Sequence, residues 1–319
     1  MTVVAAPPDL GGRRPASLGA ALLVAAYVVL APPLFLLGPL VLLLLFSKPS
    51  TAREGLWFGL AVLGSVLTLK GGGELPDQVL RAAGIFVTGA FVVLSVAVRR
   101  GVFFRAAWAT VLGAAAVAVW SAVFHISAAE FERAVLNRMV STFQGMLASQ
   151  PGEAGSSPEV TAVLQAMIGS APAVARVYPA IIALQALGGT ALAWSWYHRI
   201  ARRPIGAAPR RFREFRFNDH LVWGAIFTLG LVLLPLGEPA RTPVLNLLVV
   251  WVGLYWMRGL AVAVTLAGPW PALFKLLAVV FAVPLAPFAL GTLLALGLAD
   301  TWLDIRGRLT PSLRGGVER

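Results

Sequence analysis

The chain contains no cysteine, which excludes disulfides, zinc–thiolate sites and thiol nucleophiles. Histidine is nearly as scarce: His125, His198 and His220 are scattered and form no H-E-x-x-H pair. Neither G-x-x-x-x-G-K-[ST] nor G-x-S-x-G occurs, so P-loop ATP hydrolysis has no residues to act with. No apolar run carries the paired Asp of an intramembrane protease or the Glu/Asp/His series of a proton pump. The expectation is a protein that is not an enzyme and has no cofactor and no metal site. Charge is scarce as well. Only 13% of residues are Asp, Glu, Lys or Arg, about half the share of a soluble domain.

What the sequence has in abundance is apolar surface. Of its 319 residues 58% are hydrophobic, and runs of about 17 residues or more, each long enough for a membrane helix, recur throughout. The net charge of +12 does not point to nucleic acid, because the arginines sit in short loops between apolar runs, where membrane orientation accounts for them. Lysine occurs only at Lys48, Lys70 and Lys275, an arginine bias that suggests GC-rich coding. The expected fold is all-α: a polytopic transmembrane helical bundle of about eight to ten spans with an amphipathic helical insertion on the outer side.

Proline divides the runs. Pro32, Pro33 and Pro39 interrupt residues 17–46, so two short helices are expected there, at 17–31 and 33–46. Spans follow at 55–70, 82–98 and 103–124, then a polar interlude at 127–173. Further spans are expected at 174–197, 219–236 and 243–265, with a last run, 272–299, broken by Pro284 and Pro287. The organisation is thus a disordered N-terminus (1–16), N-terminal helices (17–126), the insertion (127–173), C-terminal helices (174–299) with a basic loop at 199–217, and a tail (300–319). The first apolar run lacks a small-residue cleavage site and is expected to be retained.

Orientation follows from the arginines. Arg99, Arg100 and Arg105 flank one turn. Arg199, Arg202, Arg203, Arg210, Arg211, Arg213 and Arg216 crowd a loop with a single acid, Glu214. Both segments are expected to be cytoplasmic, as are the two termini, with the interlude outside a bacterial inner membrane. Within that interlude Phe131, Val135, Met139, Phe143 and Leu147 recur at i+4, which predicts an amphipathic helix. It could lie on the interface or form a lid over an outward cavity. A hinge at Gly152 and Gly155 and a short helix from Pro158 are expected after it.

Ionisable residues inside an apolar run are the first functional candidates, because charge is costly in hydrocarbon. Arg258 lies about 15 residues, or about 22 Å, into the span starting near Pro243. It could snorkel to the interface or pair with a carboxylate, and Asp300 is placed at a similar depth. Asp300 and Asp304 share a helix face, and Arg306 follows two residues on; the spacing fits an interfacial helix end, an ion-pair cluster with the basic loop at Arg210, Arg211, Arg213 and Arg216, or, least of the three, metal binding or catalysis by the Asp pair. Asn218 or Asp219 suits a helix N-cap. Gln185 and Asn246 are lone amides within spans, suited to interhelical hydrogen bonding. Gly188, Gly189 and Ala193 offer a small-residue face.

The strings Phe215-Arg-Phe-Asn-Asp-His-Leu-Val-Trp223 and Gly297-Leu-Ala-Asp-Thr-Trp-Leu-Asp-Ile-Arg306 resemble the YybS-like family of predicted bacterial membrane proteins, a domain of unknown function, from about Ser17 to Arg308. That resemblance implies a distant similarity to the S-components of energy-coupling-factor transporters. The implied role is transporter-like: binding of a small-molecule solute, with a transporter ATPase module or other cytoplasmic partner. The alternative is a non-transporting scaffold or regulatory protein that recruits a partner through its basic loop. The partners expected on either reading begin with the lipid bilayer and include no nucleic acid.

Overall fold

The computed structural model describes residues 18–70, 72–149, 158–282 and 284–308, and these contain helix and no strand. The helices are α1 (Leu18–Leu30), α2 (Leu34–Phe46), α3 (Ala52–Lys70), α4 (Leu75–Ala97), α5 (Val102–Val123), α6 (Ala128–Ala148), α7 (Pro158–Ile200), α8 (Leu221–Leu233), α9 (Glu238–Leu266), α10 (Ala272–Ala282) and α11 (Ala286–Leu303). Six of them, α3, α4, α5, α7, α9 and α11, are long and apolar enough to cross a membrane, and α2, α8 and α10 are shorter apolar helices. Large apolar side chains such as Val29, Leu233 and Phe288 are more than three-quarters exposed. Water would penalise that surface at about 25 cal/mol per Å²; lipid does not. The protein is a multi-pass membrane helical bundle.

Proline and left-handed residues set the element ends. Pro33 stands at the N-cap of α2, so the first apolar run divides between α1 and α2. The last run divides at Leu285, with Pro287 in the first turn of α11, where a missing N–H costs nothing. The same logic starts α9 at Glu238, five residues before the expected Pro243, since Pro239 occupies its first turn. His125 has φ +56° and turns the chain after α5. The next residues form a capping box: Ser127 Oγ accepts from the Glu130 N–H at 3.2 Å, and the Glu130 carboxylate accepts from the Ser127 N–H at 2.8 Å.

One expectation changes. The short helix from Pro158 and the span from 174 are a single helix of 43 residues, about 65 Å long at 1.5 Å per residue. That is roughly twice the hydrocarbon thickness, so α7 extends well beyond any bilayer it crosses. The expected disordered N-terminus, the expected hinge at Gly152 and Gly155, and the tail beyond Arg308 lie outside the described residues.

The chain divides into two compact units. One comprises residues 1–73, 77–118 and 185–209; its core is built from Leu34, Phe35, Leu36, Leu40, Leu43 and Leu44 of α2 with Phe91, Trp194 and Tyr197. Gly189 lets α7 close on α2: a Cβ there would sit 2.9 Å from the Phe35 backbone. The other comprises residues 74–76, 119–184 and 210–319 and holds the interior charges described next.

Candidate functional site

Arg258 on α9 and Asp300 on α11 are both fully buried. They meet where the two helix backbones touch. A Cβ on Gly259 would collide with the Leu293 carbonyl, and one on Gly297 with the Tyr255 carbonyl, so only glycine permits this approach. Arg258 Nε donates to Asp300 Oδ2 at 3.0 Å, and Nη2 donates to the Asp300 backbone carbonyl at 3.1 Å. Its Nη1 lies 2.8 Å from Asp219 Oδ1, a close ionic contact without hydrogen-bond alignment. Its guanidinium also sits 5.3 Å from the centre of the Phe217 ring, which in turn packs edge-on against Tyr255. Arg258 does not snorkel.

Arg306 completes the shell. Its Nη2 donates to Asp300 Oδ2 at 2.7 Å, while Nη1 donates to the backbone carbonyls of Arg213 and Phe215 at 2.9 and 2.8 Å. One side chain therefore ties the loop after residue 210 to the end of α11. Asp304, left-handed at φ +43°, ends α11 as its C-cap and accepts from Arg216 at 3.0 Å. Arg216 also donates to Asp219 at 3.1 Å. Burial works against the Arg216 cation, but Asp219 and Asp304 more than offset it and hold the guanidinium above the ordinary arginine range.

Three arginines (Arg216, Arg258, Arg306) thus meet three aspartates (Asp219, Asp300, Asp304), and formal charge cancels. Two of the six are wholly enclosed, Arg306 is 12% exposed, and Arg216, Asp219 and Asp304 are half-exposed at the rim. Buried pairs offset their desolvation only when most lone pairs and protons are used, and here Arg258 Nη1 and Asp219 Oδ1 are in ionic contact without an aligned hydrogen bond. The arrangement suits a lock on the α9–α11 crossing. Among the described residues no group of three His, Asp or Glu converges as a metal requires.

Of the two residues suited to start α8, Asn218 makes the turn before it, its Oδ1 accepting from the His220 N–H at 3.0 Å. That leaves Asp219 to face Arg216 and Arg258. Of the basic loop, only Arg216 joins the cluster. Arg210, Arg211 and Arg213 are exposed.

Asn246 does more than bridge helices. Its Oδ1 accepts from the Ala180 N–H at 2.8 Å, and its Nδ2 donates to the Arg176 carbonyl at 2.9 Å. Those two groups would otherwise bond each other as i and i−4, beside Pro179, which breaks the ladder. The α9 amide is inserted into the gap. Asn246→Ala is expected to destabilise the protein by about 1–3 kcal/mol. In a Pro179→Ala background, where α7 can close its own ladder, the loss should be smaller. Thermal unfolding of the four purified proteins checks this. Gln185 behaves otherwise: its backbone carbonyl accepts from Tyr27 at 2.6 Å, while its side-chain oxygen is buried without a hydrogen-bond partner among the described residues.

Two charged residues of the other unit escaped the sequence reading. Glu54 is 3% exposed; its carboxylate accepts from the backbone N–H groups of Ser50, Thr51 and Arg202. The signal was present as Thr51-x-x-Glu54, a capping box before an apolar run. Arg105, read only as a loop cation, is buried with its guanidinium 4.1 Å from the Trp194 ring centre. No local pattern announces that contact.

Beneath α6 lies a cavity of about 190 Å³. It is lined by Val135, Arg138, Met139, Thr142 and Phe143 of α6 with Pro76 and Tyr178. Arg138, half-exposed, makes a long ion pair at 3.9 Å with the more exposed Glu74, a contact worth little.

A comparison with protein families matches residues 19–301 to the one described as Predicted membrane protein (DUF2232). No curated protein and no solved structure matches.

Proposed function

We propose the following for this chain, which belongs to the DUF2232 family of predicted membrane proteins: it is a transporter-like protein that binds a small solute under α6. The observation that carries the reading is the cavity beneath the amphipathic insertion. At about 190 Å³ it falls below the usual 300–1,000 Å³ of ligand pockets, so the solute is small. Arg138, Thr142 and Tyr178 supply a cation and two hydroxyls to an otherwise apolar wall. That chemistry fits a small carboxylate or hydroxy acid. On this reading the basic loops are cytoplasmic by the positive-inside rule, and the cavity opens on the outer side of a bacterial inner membrane. Energy would come from a separate ATPase module, since the chain has no P-loop.

The test is a thermal-shift screen of the protein in native lipid against small carboxylates and hydroxy acids, with mass spectrometry of co-purifying molecules. A binding acid should raise the unfolding temperature, and Arg138→Gln should weaken its binding about 10–100-fold, the worth of a charged hydrogen bond. If no acid stabilises the protein, or Arg138→Gln binds it as well as the wild type, the reading fails. A non-transporting scaffold is the second reading. It is favoured by the exposed arginines that the ion-pair cluster leaves over, and it predicts no solute at all.

A further inference from the structure

We propose that Arg210, Arg211 and Arg213, with Phe212 between them, bind the phosphate headgroups of anionic lipid. The chain uses its other interior arginines internally. Arg216, Arg258 and Arg306 are matched by three aspartates, and Arg105 lies over Trp194. Arg210, Arg211 and Arg213 are exposed, and no carboxylate pairs with them among the described residues. The nearest acid in sequence, Glu214, is a single charge against three.

Their backbone is held in place beforehand. Arg306 grips the carbonyls of Arg213 and Phe215, the turn at Phe212–Glu214 is a 3-10 helix, and Phe212 stacks on Phe215 at 6.1 Å and 17°. A pre-ordered loop loses less entropy on binding than a free one. Phe212 is 43% exposed, and at the end of α11 Trp302 is 62% exposed. Exposed aromatics beside cations, next to the ends of membrane helices, match the headgroup level, where aromatic rings and phosphates lie together. An acidic protein surface would satisfy the arginines but gives no reason for the apolar rings among them.

Each cation near an anionic surface contributes about a five-fold preference, so three give on the order of 100-fold before salt screening. The experiment places the full chain in phosphatidylcholine nanodiscs containing a minority of phosphatidylglycerol. Native mass spectrometry then counts the lipids that remain bound. The expected result is retention of phosphatidylglycerol over phosphatidylcholine by at least about ten-fold, falling steeply with salt. Arg210→Gln/Arg211→Gln/Arg213→Gln should lose the preference while its thermal unfolding stays unchanged, and the corresponding triple Lys variant should keep most of it. Equal retention by wild type and the Gln variant would overturn the proposal. So would full displacement of the lipid effect by inorganic phosphate, or a Gln variant that keeps its lipids but loses a co-purifying acidic protein.

Discussion

Asp300→Asn lowers the stability of the protein by about 3–5 kcal/mol, the cost of leaving a buried charge without its partner. Two guanidinium groups, from Arg258 and Arg306, share the Asp300 carboxylate, and Arg258 has no route to water. Its remaining acidic contact, Asp219, is a rim residue that also serves Arg216. Arg258→Met should cost a comparable amount by stranding Asp300 between fewer donors. The double variant Arg258→Met/Asp300→Leu leaves Arg216 and Arg306 against Asp219 and Asp304, still balanced, and should recover most of the loss. Unfolding of the purified proteins in one detergent, followed by intrinsic tryptophan fluorescence, supplies the cycle. A single variant within about 0.5 kcal/mol of wild type, the range of an ordinary surface change, would mean the pair is solvated.

Gly297→Ala destabilises by about 3 kcal/mol or more, because the new methyl meets the Tyr255 carbonyl, a backbone atom that cannot rotate away. Gly259→Ala should behave alike against the Leu293 carbonyl. Gly291 on the same helix is the control, since nothing lies within 4 Å of a Cβ there. Gly291→Ala should be neutral or stabilise by up to about 1 kcal/mol through helix propensity. The opposite signs separate helix contact from any general effect of alanine. Gly297→Ala should also loosen the ion pair, since Asp300 lies one turn beyond the contact; accelerated hydrogen exchange near residue 300 would report it.

Much of the fold was legible because hydrophobic runs and prolines are local signals. The break between α1 and α2 at Pro33 and that between α10 and α11 at Leu285 fall where proline demanded them. The continuity of α7 was not legible. Pro172 and Pro179 both stand inside it, and what bridges the second is Asn246, distant in sequence. The apolar span expected at 243–265 agrees with the span Ala240–Leu266, and the helix itself begins a little earlier, at Glu238, with a proline in its first turn, where it is tolerated.

For the site, Arg258 and Asp300 stood out because they are ionisable residues in apolar runs, and their meeting follows from a cost that each alone could not bear. Asp219 was hidden by a plausible local role. Asn218 and Asp219 both suit a cap before the apolar run, and only the fold shows that Asn218 makes the turn. The use of Arg306 to fasten the backbone at Arg213 and Phe215 depends on tertiary packing and left no trace in spacing. The amphipathic pattern of α6 left open both an interfacial helix and a lid over a cavity, because spacing alone does not say what a helix face covers.

Both proposals depend on α6 and the basic loop facing opposite sides of the membrane. The lack of any native cysteine allows a direct measurement. Single cysteines at Ser141, exposed on α6, and at Arg211, exposed in the basic loop, can be labelled in cells with a membrane-impermeant maleimide. The expected result is labelling of Ser141→Cys in intact cells, and of Arg211→Cys only after the inner membrane is opened. Labelling of both positions from outside, or of Arg211→Cys alone, would contradict the topology and remove the basis for an outward solute cavity and a lipid-facing cytoplasmic loop.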